Sequence, residues 1–275
     1  MVRNLARNLI FAVIFCLLLP LHSEVFLNRL EASYTYEYLD PIDTYGDWHS
    51  FNVTYFRQET STFNFHLGAT FHNRLIVGPT YDHSGILFFG GVTKDWSSRL
   101  YSNFSASFGT ECDYLPEYRF DADLNLKLLK HKNLIATLGY AYVNYHTFYE
   151  DIIWRYGLAL HIKRFVFELM FYDNLSINAN SDEEIESSTM LFSVGYGMEG
   201  WQWTHLIFNF GSQAYLLYDP FLNDLYRVEL DSNEITLKHR RWIKNDFGWF
   251  ASLGFMQLDT YYEKYLFQFG LFWQW

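Results

Sequence analysis

The stretch Tyr265-Leu266-Phe267-Gln268-Phe269-Gly270-Leu271-Phe272-Trp273-Gln274-Trp275 decides how the rest of the chain is read. Its odd positions carry Tyr265, Phe267, Phe269, Leu271, Trp273 and Trp275, while Gln268, Gly270 and Gln274 dominate the other face. A period of two is the signature of a β-strand. A water-soluble domain ending on such a strand would expose a broad aromatic stripe. A strand with lipid on one side and a polar lumen on the other requires this pattern. The remaining sequence must then supply the other strands of a membrane barrel.

It does so repeatedly. In 118–128, Tyr118, Phe120, Ala122, Leu124, Leu126 and Leu128 alternate with Arg119, Asp121, Asp123, Asn125 and Lys127. An amphipathic helix would space its apolar residues three and four apart instead. In 30–38, Ala32, Tyr34 and Tyr36 oppose Glu31, Ser33, Thr35 and Glu37. Further strands are expected at 48–57, 62–71, 83–92, 99–108, 134–145 and 152–163. Others follow at 164–172, 188–198, 203–213, 234–243, 248–258 and 264–275. The connections alternate in length: 40–47 then 58–61, 72–82 then 93–98, 109–117 then 129–133. Lys163-Arg164 is a tight reversal, whereas 173–186 and 214–233 read as long loops. Bacterial barrels have short periplasmic turns, long external loops and an even strand number. The expected fold is an all-β, antiparallel up-and-down transmembrane barrel of about 14 strands. Twelve is the alternative, if two weak segments pair as loop hairpins.

Composition agrees. Apolar residues make up 50% and aromatics 21% of the chain, yet charged or polar residues interrupt every apolar stretch after residue 23. A β-sandwich would have to crowd those rings into a core about 10 Å thick. A barrel places Trp and Tyr at both membrane interfaces. Arg3 and Arg7 precede an apolar run at 9–21, and His22-Ser23 offers a cleavage point before Glu24. That run is too short to span a bilayer and reads as a secretory signal peptide over 1–23, with the barrel in 24–275. Cys16 lacks the preceding small residues of a lipoprotein site. Removing Arg3 and Arg7 from the 20 basic residues leaves 18 against 31 acidic ones, a balance of −13. Such a chain is not built to bind nucleic acid. Cys112 alone remains, which excludes an intramolecular disulfide and a zinc site made of Cys pairs.

Leu30-Glu31-Ala32-Ser33-Tyr34-Thr35-Tyr36-Glu37, followed by Trp48, resembles the opening strand pair of the YaiO-type outer membrane β-barrel family. Leu115-Pro116-Glu117-Tyr118-Arg119-Phe120 and Leu138-Gly139-Tyr140-Ala141-Tyr142 are similar to its central strands. The resemblance implies an outer-membrane barrel associated with cell-surface polysaccharide. The terminal Phe usual in such barrels is here Trp275.

With apolar faces outward, the lumen receives Arg29, Glu31, Glu37, Arg119, Asp121, Asp123, Lys127, Arg155, His161, Glu168 and His205, with Lys238 and Arg240 further round. Opposed charges on a wall can screen solutes. They can equally pair with one another and plug the interior, and fourteen strands is fewer than the roughly 16 to 18 of open porins. Asp121 and Asp123, about 7 Å apart on one strand face, fit the spacing of an acid–base pair as well as that of an ordinary lumen strand. His66, His161 and His205 lack tight ligand spacing, and His161 and Ser193 fall on strands separated by one other. No catalytic residue, cofactor or metal is therefore expected. Gly195-Tyr196-Gly197-Met198-Glu199-Gly200 matches G-x-G-x-x-G but lies between two strands, where no helix can receive a phosphate. Gly195 and Gly197 should smooth the lumen wall and Gly200 form a turn. Asp182, Glu183, Glu184 and Glu186 form an acidic cluster that reads as a solvated loop tip or as a cation site bridging lipopolysaccharide phosphates. The sequons at Asn52, Asn103 and Asn174 read as chance.

The expected protein is an outer-membrane barrel of a Gram-negative bacterium, a passive pore or an accessory in transport or display of surface polysaccharide. Its partners would be membrane lipid and lipopolysaccharide, a glycan or small solute, and the barrel-insertion machinery reading the strand that ends at Trp275. One alternative is a structural or adhesive barrel working through its external loops. The other is an outer-membrane enzyme modifying lipid or glycan.

Overall fold

The terminal stripe pairs with the first strand. Ala32 lies opposite Leu271, Tyr34 opposite Phe269 and Tyr36 opposite Phe267, and backbone hydrogen bonds join Asn28 and Trp275 in both directions. That seam closes a cylinder in a computed structural model describing residues 28–41, 46–75, 84–112, 114–181, 183–219 and 224–275. The expected signal peptide and Asp182 lie outside the described residues.

Among the described residues fourteen strands form one closed antiparallel barrel, each paired with its sequence neighbours. They are β1 (Asn28–Asp40), β2 (Asp47–Thr60), β3 (Phe63–Leu75), β4 (Ser84–Asp95) and β5 (Leu100–Gly109). Next come β6 (Pro116–Leu128), β7 (Leu134–Tyr145), β8 (Tyr149–Ile162), β9 (Phe165–Asn178) and β10 (Glu184–Met198). The last four are β11 (Gln202–Asp219), β12 (Asp224–Lys244), β13 (Phe247–Leu258) and β14 (Tyr262–Gln274). Closure leaves no sheet edge, so every wall strand is hydrogen-bonded on both sides. Asn28 and Trp275 share one rim, called here the terminal rim; the opposite one is the far rim.

Alternation assigns the two faces. On β14, Trp273 is 51% exposed while its neighbour Phe272 is 1% exposed, so odd positions face outward and even positions inward. Following the register round the barrel, Phe51, Phe71, Phe104, Phe120, Leu138, Trp154 and Leu253 join the outward face and are exposed. Trp273 and Trp275 pack together at the terminal rim, their ring centroids 4.7 Å apart and tilted by 34°. Water would penalise so large an apolar exterior, whereas lipid accepts it.

Two expected loops are strand instead. β9 continues to Asn178 and β10 begins at Glu184, so 173–186 is mostly a hairpin, with Leu175 opposite Glu186. Likewise β11 runs to Asp219 and β12 starts at Asp224, filling 214–233. β9 keeps β8 beside it as far as Asn178. β10 before Thr189 and the extensions of β11 and β12 have one neighbour each, and that pairing still satisfies half of their backbone groups. Glu184 and Glu186 accordingly sit on β10, exposed, instead of in a loop tip.

The β11–β12 extension bends into the barrel. Pairing of β11 with β10 stops at Gly211, whose φ of 135° suits glycine alone, and pairing of β12 with β13 stops at Ser232. Beyond these points the two strands form a ribbon paired with itself. Tyr215, Val228 and Leu230 of the ribbon pack on Met256, Leu258 and Tyr262, which line the inner face of β13 and β14. Burying this apolar group inside the mouth holds the ribbon down, since each buried aliphatic or aromatic side chain contributes about 1.5–3 kcal/mol.

Candidate functional site

The lumen holds the charged side chains, and most of them are tied to one another. On β6, Arg119 forms a two-point contact with Asp121, both nitrogens at 2.8 Å. Arg155 of β8 reaches Asp121 at 2.8 Å and Asp123 at 2.9 Å. β7 lies between them, and its residue in register is Gly139; a Cβ there would run into Asp123 and into Arg155 Nε. Glycine thus clears the gap across which the two strands are bridged. The result is a chain of alternating charge, Arg119, Asp121, Arg155, Asp123, in which each aspartate is held by a guanidinium.

Toward the terminal rim, Glu31 accepts from Arg29 at 2.8 Å and from Arg240 at 2.8 Å. Arg240 also lies over the rings of Phe250 and Phe272, at 5.3 and 5.0 Å. Lys127 faces Asp95 at 3.6 Å, and Glu168 accepts from Ser193 at 3.1 Å. Glu37 sits higher, 3.8 Å from Lys264. His205 packs against Gly195, where a Cβ would stand 2.6 Å from its ring. The G-x-G-x-x-G match is therefore a ring seat at Gly195, a close approach to the Gln202 carbonyl at Gly197, and a turn residue with φ 79° at Gly200. His161 stands apart from the other candidates: in phase with the lumen, it is exposed at the terminal rim.

The sequons also lie on the inner wall. Asn52 donates to Thr70 at 2.7 Å and accepts from Thr54, Asn103 accepts from Thr93, and Asn174 donates to Ser187. Asn-x-Ser/Thr is here two inward polar residues with an outward one between them.

The far mouth contains groups that sequence reasoning missed. Arg227, on the ribbon, donates to Asp151 of β8 and to Ser176 of β9, and Ser176 donates to the same carboxylate. Tyr145 gives Asp151 a further hydrogen bond at 3.1 Å. The side chains of Arg227 and Asp151 are 4% and 8% exposed. On the opposite side, Arg74 at the end of β3 lies between the rings of Trp48 and Tyr114, 4.1 and 4.0 Å from their centroids. Tyr114 belongs to the 110–115 connection, whose Cys112 and Leu115 are buried against Gly85. Both sides of the mouth are thus folded inward.

One cavity of about 280 Å³ opens on the inner wall in the terminal half. Trp203, His205, Lys238, Arg240, Phe250, Ser252 and Gln268 line it, with the chain at His239 and Ala251 between them.

The fold and the lumen chemistry meet a known family. A model described as the YaiO membrane beta barrel domain matches residues 27–216. The chain belongs to the YaiO membrane β-barrel family. The match takes in β1 to β10 and most of β11; the rest of the ribbon and most of the cavity wall lie beyond it. No curated protein matches the sequence. Among solved structures, the outer-membrane expressed OmpT of Vibrio cholerae is similar with a TM-score of 0.51 at 7% identity, covering 93% of this chain and 99% of that one. An anion-selective porin from Comamonas acidovorans gives 0.49 at 6% identity, with 91% and 99% covered. The COG4313 outer membrane channel from Pseudomonas putida F1 gives 0.49 at 8%, with 93% and 97% covered. At such identities the likeness concerns the fold alone.

Proposed function

We propose that this YaiO-family chain resides in the outer membrane of a Gram-negative bacterium and acts, without covalent chemistry, as an accessory in moving or displaying surface polysaccharide. Its lumen is shut at the far mouth in the resting state, and that mouth faces the exterior. The observation carrying this reading is the ribbon turned inward at Gly211 and anchored by Arg227 on Asp151. A permanently open pore would leave such inner-wall groups in water, and a purely adhesive barrel would direct its longest hairpin outward. Lipid and lipopolysaccharide meet the aromatic exterior, and the insertion machinery reads β14 with its outward Trp273 and Trp275.

The test is conductance in planar bilayers. The intact protein should be silent or pass brief, small currents, and removal of the ribbon should open it. Steady, large conductance from the intact protein would overturn the reading. Loss of surface-glycan function on ribbon deletion, with conductance unchanged, would favour the adhesive alternative.

A further inference from the structure

Lys238 stands apart from the ion-paired cations of the lumen. Arg74, which also lacks a carboxylate within 4 Å among the described residues, packs instead on the rings of Trp48 and Tyr114. Arg29, Arg119, Lys127, Arg155, Arg240 and Lys264 each meet a carboxylate within 4 Å. Among the described residues no carboxylate lies within that distance of Lys238. It faces the 280 Å³ cavity, beside His205 and Ser252 in the register of β11–β12–β13. An ammonium group on an inner wall with no carboxylate within 4 Å suits an anionic ligand. Arg240 next to it is held in place by Glu31 and by the faces of Phe250 and Phe272. A guanidinium so fixed is preorganised for a carboxylate or phosphate.

The rest of the lining argues for more than a bare ion. Trp203 and His205 stand together, ring centroids 5.6 Å apart, and Gly195 leaves the imidazole room against the wall. Flat rings beside amide and hydroxyl groups, here Gln268 and Ser252, offer an apolar face and hydrogen-bonding groups at once. A pyranose ring needs both.

We propose that this cavity binds a carboxylate-bearing sugar unit, of the uronic-acid class, within an acidic saccharide. Lys238 takes the carboxylate, Arg240 supports it, and Trp203 and His205 carry the ring. The inference deepens the polysaccharide reading above and supplies its substrate class. In detergent solution, isothermal titration of the full barrel with trigalacturonate should show saturable binding that weakens as salt is raised. Lys238→Gln should weaken it at least tenfold, whereas Lys238→Arg should retain most of it. Trp203→Ala should lose binding, and the heat-dependent gel shift of folded barrels confirms that each variant is assembled. Equal affinity for maltotriose would overturn the charge assignment. Inorganic phosphate binding as tightly as trigalacturonate would overturn the sugar assignment, and no binding of trigalacturonate would overturn both. Mouth closure is read separately by conductance, so a barrel that opens on ribbon deletion but binds no sugar refutes only this inference.

Discussion

Arg227 and Lys238 are cations of one strand, β12, and they meet opposite fates. Arg227 sits at the far mouth, desolvated among Asp151, Ser176 and the rings of Tyr145 and Tyr149. Lys238 sits in the terminal half and faces an open cavity without a carboxylate partner. Simple alternation would send Lys238 inward and Arg227 outward. The wall obeys that rule and the ribbon does not, because the chain leaves the wall at Gly211 and Ser232 and turns across the mouth. The ribbon's inner side then packs on β13 and β14, and its other side looks across at β8 and β9. Phase along a strand therefore identifies lumen residues only while the strand stays in the closed sheet.

The strongest way to break this contrast is to remove the ribbon. Replacing 213–230 with a short turn should raise single-channel conductance at least tenfold over the intact barrel, while the terminal cavity still binds its ligand. Next in size is the anchor itself. Arg227→Ala leaves Asp151 buried without its cation, a change that costs about 3 kcal/mol or more. It should appear as frequent channel openings and as a lower urea midpoint for ribbon release, followed by proteolysis in vesicles. A double variant, Arg227→Met with Asp151→Leu, removes both charges and should recover most of that loss, since an apolar pair of similar volume replaces an ion pair at little cost. If the double variant is as open as Arg227→Ala, the ion pair is not what holds the mouth.

The sequence displays the wall and conceals the mouth, for a physical reason. Wall strands have one lipid face and one polar face, so 118–128 and 264–275 alternate cleanly, and all fourteen strands could be placed from that period. Ala214-Tyr215-Leu216-Leu217-Tyr218 has no polar face, as expected of a strand that leaves the two-solvent wall. A search for alternation takes such a segment for a loop. Asp151 was missed by one residue at the start of its strand, and its partner lies 76 residues away. Nothing local announces that pairing. Lys238 and Arg240 were legible as inward positions, but the absence of a carboxylate near Lys238 depends on where β11 and β13 place their own side chains. Gly195 was legible as a smooth wall position; that it seats His205 required the register.

The other side of the mouth gives a smaller effect. Arg74 is held between Trp48 and Tyr114, and a desolvated cation over an aromatic face contributes about 2 kcal/mol. Arg74→Ala should loosen the 110–115 connection without releasing the ribbon. Cys112, 3% exposed, provides the probe. Its labelling by a thiol reagent, located by peptide mapping, should accelerate severalfold in Arg74→Ala and stay slow in Arg227→Ala. Equal acceleration in both variants would mean that the mouth opens as one unit.

The smallest effect should come from Lys127, and it sharpens the contrast most directly because the chemistry is again one cation and one aspartate. Lys127 and Asp95 stand 3.6 Å apart with side chains 27% and 33% exposed. Water reaches both, so desolvation is slight and the attraction is screened; pairs of this kind contribute about 0.5 kcal/mol. Lys127 also lies 4.8 Å from the Tyr101 ring centroid, a contact its methylene stem can partly keep when the charge is removed. Lys127→Gln should therefore leave the urea midpoint within error and the conductance unaltered at physiological salt. A loss as large as that of Arg227→Ala would mean that the terminal half is as dry as the mouth. In that case Lys238 would be facing a sealed void rather than a site open to a ligand.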